Sequence, residues 1–182
     1  MKKVIILAAL AIASLTSCDK VTTNIEVDDV TFDFEAITAG SPSSSSISRN
    51  AAMTSTFSVT RSVSLAEIGS SELMKYADRI TKIAVNSSLL KVTIEPSGEY
   101  TVTNLTVSAV GVPGSLVVPE YVIGDVFTPP ANMETYTIAF IMKLLNNEPI
   151  EVTVSGQTDA PTGVKVKISY ENDLVFTAKV LN

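Results

Sequence analysis

The sequence predicts a mainly β protein: an antiparallel β-sandwich with one or two short helical insertions, the immunoglobulin-like arrangement being one form it can take. Three observations lead there. Apolar and polar residues alternate with period two over several stretches, the mark of half-buried strands. Short polar clusters separate those stretches as turns would. Only two segments carry a helical repeat. Eight or nine strands with two helical insertions add up to a layered sheet architecture.

The chain opens with Met1-Lys2-Lys3, a cationic head, followed by ten apolar residues, Val4 to Ala13. As a helix that run is about 15 Å long, whereas a bilayer core needs about 20 apolar residues. Its length is that of a signal-peptide core. Small residues follow, and then Cys18, the single cysteine of the 182-residue chain.

Leu15-Thr16-Ser17-Cys18 resembles the lipobox of bacterial lipoproteins: an aliphatic residue, two small residues and the cysteine. The resemblance implies a diacylglycerol on the Cys18 thiol and cleavage just before it, so that residues 1–17 are a lipoprotein signal peptide and 18–24 a lipidated tether. One acyl chain holds a protein marginally on a membrane, while two or more hold it stably. The implied address is the outer membrane of a Gram-negative cell, periplasmic or surface face open.

Removing 17 residues leaves 165 and takes away Lys2 and Lys3, so 11 basic side chains face 19 acidic ones, a balance of −8. Nucleic acid is a poor partner for such a chain, because its binding rests on Lys and Arg meeting phosphates. With no second cysteine the fold has no internal disulfide and stands on its core. A single domain over 25–182 has the length for one.

Along that domain, Val30, Phe32 and Phe34 alternate with Asp29, Thr31, Asp33 and Glu35. Residues 38–50, TAGSPSSSSISRN, have the composition of a loop. Ser64 and Glu67 stand at capping-box spacing, with Gly69 placed to end a turn and Ser70 to cap the next. From there Leu73, Tyr76, Ala77 and Ile80 form a helical stripe. Strands are expected at 82–85 and 89–94.

In 100–110 the apolar parity changes: Tyr100 and Val102 share one phase, Leu105, Val107 and Ala109 the other. A one-residue slip at Thr103-Asn104, a β-bulge, would turn both groups to one face. The segment 132–146 is apolar on nearly every side and reads as a buried helix or as a strand, with Asn132 as its N-cap and Pro149 beyond its end. Alternation returns at 150–155, 164–170 and 174–180, with Glu171-Asn172-Asp173 as a hairpin turn between the last two strands. The stretch 142–170, MKLLNNEPIEVTVSGQTDAPTGVKVKISY, resembles the uncharacterised β-sandwich lipoproteins of Bacteroidota. That likeness implies no catalytic motif. Asp19-Lys20-Val21-Thr22-Thr23 lacks the acidic export pair of many of them.

The chain has no histidine, so Ser–His–acid and Cys–His catalysis and imidazole zinc sites are excluded. No glycine-rich phosphate loop occurs. Carboxylates are the remaining acid–base groups, and their best cluster is Asp28, Asp29, Asp33 and Glu35. On a strand face such a row is ordinarily solvated surface, and neither a metal nor another cofactor is expected. The segment 112–131 carries four prolines with Tyr121 and Phe127 among few charges; those two rings are the candidate ligand-binding residues, with core positions as the plain alternative.

The reading that follows is a non-enzymatic, membrane-anchored envelope lipoprotein serving as a binding, adhesion or structural module, with an envelope protein or a glycan as partner. Alternatives are an accessory glycan-capture lipoprotein and a carboxylate-dependent hydrolase. Metabolic labelling with a radioactive fatty acid is expected to mark the full chain and to leave a Cys18→Ser variant unmarked.

Overall fold

Every even-numbered residue from Val166 to Ala178 is buried, and this single row organises the molecule. It belongs to β8, Lys165–Lys179, the middle strand of an antiparallel three-stranded sheet ordered β1-β8-β4. Its neighbours are β1, Thr22–Ile37, and β4, Ile80–Glu95. A second sheet of five strands is ordered β2-β3-β7-β5-β6. Those strands are β2 (Ala39–Gly40), β3 (Ser55–Val63), β5 (Thr101–Ala109), β6 (Leu116–Val122) and β7 (Ile150–Thr158). The two sheets pack as a β-sandwich with one shared core. This computed structural model describes residues 21–40, 55–146 and 148–180. In the immunoglobulin arrangement the first and last strands fall in different sheets, whereas β1 and β8 are neighbours here.

The continuous β8 corrects the expected hairpin turn at Glu171-Asn172-Asp173. Asn172 is buried, and its amide is bonded: Ser88 Oγ donates to Oδ1 at 2.6 Å and Nδ2 donates to the Tyr170 carbonyl at 3.4 Å. Asp173 faces outward between two β-bulges. In β1 the register slips between Val27 and Val30, and in β4 it slips between Val85 and Ser87, both opposite Asp173. Its Oδ1 accepts from the Asp29 backbone N–H at 3.0 Å and its Oδ2 from Ser87 Oγ at 2.6 Å. One carboxylate thus fills the two gaps that the bulges open in the flanking ladders.

The bulge expected at Thr103-Asn104 is present: the β5–β7 register shifts between Thr103 and Thr106, and Val102, Leu105, Val107 and Ala109 all face the core. Asn104 has φ +53° and Asp29 has φ +56°, the left-handed region that Asn and Asp enter most readily. Two residues beyond each, a threonine turns back: Thr31 Oγ1 donates to the Asp29 carbonyl and Thr106 Oγ1 to that of Asn104, both at 3.2 Å.

β8 spans about 50 Å at 3.4 Å per residue, whereas the nine-residue strands β3, β5 and β7 span about 30 Å. The remaining apolar length is covered by helical pieces. A 3₁₀ turn, Leu65–Ile68, lies against β1, α1 (Ser71–Tyr76) against β8, and α2 (Met133–Leu144) against β4. The turn has the expected cap: Ser64 N–H donates to Glu67 Oε1 at 3.0 Å, and Gly69 ends it with φ +72°. Ser70 Oγ then accepts from Leu73 N–H at 3.1 Å to start α1. That helix is shorter than its stripe suggests, because Ile80 already begins β4, which joins the two strands expected at 82–85 and 89–94.

The segment 132–146 is a helix, with Met133, Tyr136, Thr137, Phe140, Ile141 and Leu144 buried at helical spacing. Asn132 does not cap it through its side chain; its Nδ2 donates to the Ser115 carbonyl at 3.0 Å. Phe140 packs edge-on against Phe32 at 5.2 Å between centroids.

Two further contacts tie the sheets together. Thr38, at the corner where the chain leaves β1 for β2, is buried; its Oγ1 donates to the Pro161 carbonyl at 2.7 Å and accepts from Val164 N–H at 3.0 Å. Arg61 on β3 reaches across to β1, its guanidinium 4.7 Å over the Phe34 ring and its Nε donating to the Asp33 carbonyl at 2.7 Å. The Ser-rich stretch therefore begins as strand, with Ala39–Gly40 paired to β3; residues 41–50 lie outside the described residues. At the other end, Thr22 to Asn24, expected in the tether, pair with β8.

A short buried polar chain runs beside α2. Tyr170 O–H donates to Thr137 Oγ1, Thr137 donates to the Met133 carbonyl at 2.8 Å, and Thr137 lies 3.2 Å from Ser88 Oγ. Burial pushes the Tyr170 phenol up to about 12, the bonds with Thr137 and Ser88 offsetting part of it. Burial also raises Tyr136, with nearby Tyr170 adding to it; the buried Tyr136 hydroxyl has no hydrogen-bond partner among the described residues.

Two predictions follow from this packing. Asp173→Ala should cost about 1–2 kcal/mol in urea-induced unfolding, the range for losing hydrogen bonds to a charged acceptor that is part-exposed. The raised Tyr170 phenol favours the neutral form in the fold, so its contribution is complete below pH 10 and is lost as pH rises toward 12. In an alkaline titration, tyrosinate absorbance of Tyr136 and Tyr170 should appear late and together with unfolding. Phe substitution at either position should remove part of that late step.

Candidate functional site

Tyr121 and Phe127 are brought together. β6 places Tyr121 at its last turn, opposite Val102, on the face that looks toward the core. The chain then turns at Gly124, whose φ of +100° suits glycine, and returns Phe127 to the Tyr121 ring. The two rings meet edge-to-face at 6.0 Å and 74°. Both are half-buried: they seal the margin of the core and still show an edge to solvent. Tyr121 O–H donates to the Asp125 carbonyl at 3.3 Å. Burial raises its phenol, and the Asp125 carboxylate adds to that.

Exposed valines and exposed acids, Glu120 and Asp125, both lie near this pair. Val126, at the loop tip, is 94% exposed; Val122 and Val117 on β6 are exposed as well. β6 is the edge of its sheet, and Pro119 in its middle blunts that edge against further strand pairing. The position of this patch along the molecule matters. β1 starts at Thr22 beside Lys179, and β6 ends at Val122 beside Thr101, just beyond the turn that leaves β4 at Glu95. Glu95 and Ile37 both lie beside Lys165, at the far end of β1. Val122 and Val126 therefore sit toward the end of the three-stranded sheet opposite Thr22.

The acidic row is surface, engaged by its neighbours. Asp29 offers only its backbone to Asp173. Asp33 Oδ1 accepts from Ser169 Oγ at 2.6 Å, and Glu35 pairs with Lys165 at 3.3 Å. Nearby, Glu95 is held below the usual carboxylate range by its 2.8 Å bond to Lys167. Among the described residues no three Asp, Glu, His or Cys side chains converge as metal ligands. Cys18 lies outside the described residues. Among the described residues no helix is long and apolar enough to cross a membrane.

A second feature is a groove of about 520 Å³ on the outer face of the five-stranded sheet. Thr56, Phe57 and Ser58 of β3 and Ser155, Gly156 and Gln157 of β7 form its floor. Ile37 and Ala39 wall one side, and Asn104, pushed out by its bulge, walls the other. Gly156 lies between the floor residues, and a Cβ there would meet the Phe57 ring at 2.7 Å, so a larger residue would displace the ring that fills the core beneath. The lining has no ionisable side chain and no tyrosine. Sequence reasoning missed this groove, because its residues come from five strands and converge only through the register.

No known family model, curated protein or solved structure matches this chain.

Proposed function

We propose that this chain is a non-enzymatic binding or structural module of a bacterial envelope, tethered to the outer membrane through lipid on Cys18, that engages a protein partner at the end of the sandwich farthest from the tether. The observation that carries the reading is the placement of the apolar patch. Cys18 precedes Thr22 by four residues, and Val122, Val126, Tyr121 and Phe127 lie toward the opposite end of the sandwich. A domain held by its N-terminus presents that end outward. Exposed apolar residues grouped with half-buried aromatics are the composition of an interface core.

The stiffness of the segment supports the same reading. Pro113, Pro119, Pro129 and Pro130 limit the conformations of 112–131, so less entropy is lost when a partner seats on it. The patch needs no reorganisation to bind, since Tyr121 and Phe127 already support each other. The carboxylate-dependent hydrolase gains no support from the groove, whose lining residues include no acid.

The test is a quantitative pull-down from envelope extract with the intact lipidated protein and with a Val122→Asp/Val126→Asp variant. Both positions are exposed, so the variant should fold with an unchanged thermal midpoint. The expected result is one stoichiometric protein partner held by the wild type and reduced at least tenfold by the variant. Equal recovery by both would remove the patch from the interaction.

A further inference from the structure

The two outer faces of the sandwich differ in kind. On the three-stranded sheet, Glu35, Glu95, Lys165 and Lys167 form cross-strand ion pairs. On the five-stranded sheet the register lines up hydroxyls instead. One row runs Ser58, Ser155, Thr106; the next runs Thr60, Thr153, Ser108. A third runs Thr56, Gln157, Thr103, and charge enters only at its margin with Glu120 and, beyond the second row, with Glu151. Thr60 and Thr153 bond to each other at 2.8 Å.

We infer that the groove at Asn104 is a binding site for a neutral polyhydroxylated chain, that is, an uncharged glycan. This does not rest on the valine patch. The polar floor side chains, Thr56, Ser58, Ser155 and Gln157, each both donate and accept hydrogen bonds. So does Asn104 on the wall. A ligand made of hydroxyl groups matches that set; a carboxylate or phosphate ligand finds no cation in the lining. Ile37 and Ala39 offer an apolar wall to the C–H faces that such a chain also carries.

Direction separates a glycan from a peptide. The groove crosses β3 and β7 between β2 and β5, about 14 Å at the usual strand spacing. A peptide recognised by strand pairing runs along a sheet edge and uses its backbone. A chain lying across strands meets side chains, and here these are hydroxyls and amides with Ile37, Ala39 and Phe57 beside them.

The experiment uses the full chain, labelled with ¹⁵N in detergent micelles, titrated separately with the neutral polysaccharides dextran and mannan and with anionic polygalacturonate. The folded state is checked first by amide dispersion. Expected are saturable shifts confined to the amides of 37–39, 56–58, 104 and 155–157 with at least one neutral polymer, and none with polygalacturonate. Ser58→Glu, which places a charge on an exposed floor position, should weaken binding at least tenfold, while Val122→Asp/Val126→Asp should leave it unchanged. No shift with either neutral polymer, equal binding of polygalacturonate, or undiminished binding by Ser58→Glu would each overturn the assignment. Loss of binding in the valine variant would instead move the site to the patch.

Discussion

One carboxylate in the middle of the central strand sets the geometry on which the rest depends. Asp173 accepts from the Asp29 backbone on one side and from Ser87 on the other, at the level where both neighbouring strands carry an extra residue. A bulge leaves a ladder locally unpaired and increases the twist of its strand. Two bulges opposite one another would leave a gap across the whole sheet. The Asp173 side chain, outward from the core and part-exposed, reaches both sides of that gap. Inward from it, Asn172 does the complementary work: its amide is buried among Ser88 and the Tyr170 carbonyl, and so is satisfied. The sheet bends there instead of breaking. The half toward Ile37 lies under the five-stranded sheet, and the half toward Thr22 lies under the helical pieces.

This explains which parts of the fold were legible. Period-two alternation identified the strands because each has one face on the core. It also carried the bulge at Asn104, since a change of parity between Val102 and Leu105 has no other cheap explanation. The same pattern stands in β1, where Val27-Asp28-Asp29-Val30-Thr31-Phe32 parallels Val102-Thr103-Asn104-Leu105-Thr106-Val107. An Asx before an apolar residue and a threonine marks the bulge in both, through the left-handed Asx and the threonine that bonds back to it. Glu171-Asn172-Asp173 misled for a physical reason. Three polar residues in a row are turn chemistry when read locally, and the bulges that give them partners lie on strands 84 to 144 residues distant.

The site was less legible than the fold. Tyr121 and Phe127 were read as either buried or exposed, and they are neither, because a ring at the end of a sheet is covered on one side only. Strand parity has no term for that. Arg61 was invisible for a related reason. It occupies a core-facing parity on β3, where a charge is costly, yet it reaches the open side of the sandwich, lies over Phe34 and pairs with Glu67 at 2.7 Å. The groove is the extreme case: each polar floor residue is an ordinary strand-surface Ser, Thr or Gln, and only the cross-strand register gathers them.

The contrast between the two outer faces then has a simple basis. Ion pairs between exposed side chains contribute little and are weakened by salt, so the lysines and acids on the three-stranded sheet serve hydration more than stability. That frees the other face from the same duty. Ser and Thr suit a strand surface and carry no ionic atmosphere, so a neutral ligand approaching them displaces water without stripping counterions. Because the charged face and the hydroxyl face lie on opposite sides of one core, the field of the first is also distant from the second. The lining of the groove on that face carries no ionisable side chain, so a charged ligand would find no compensating group there.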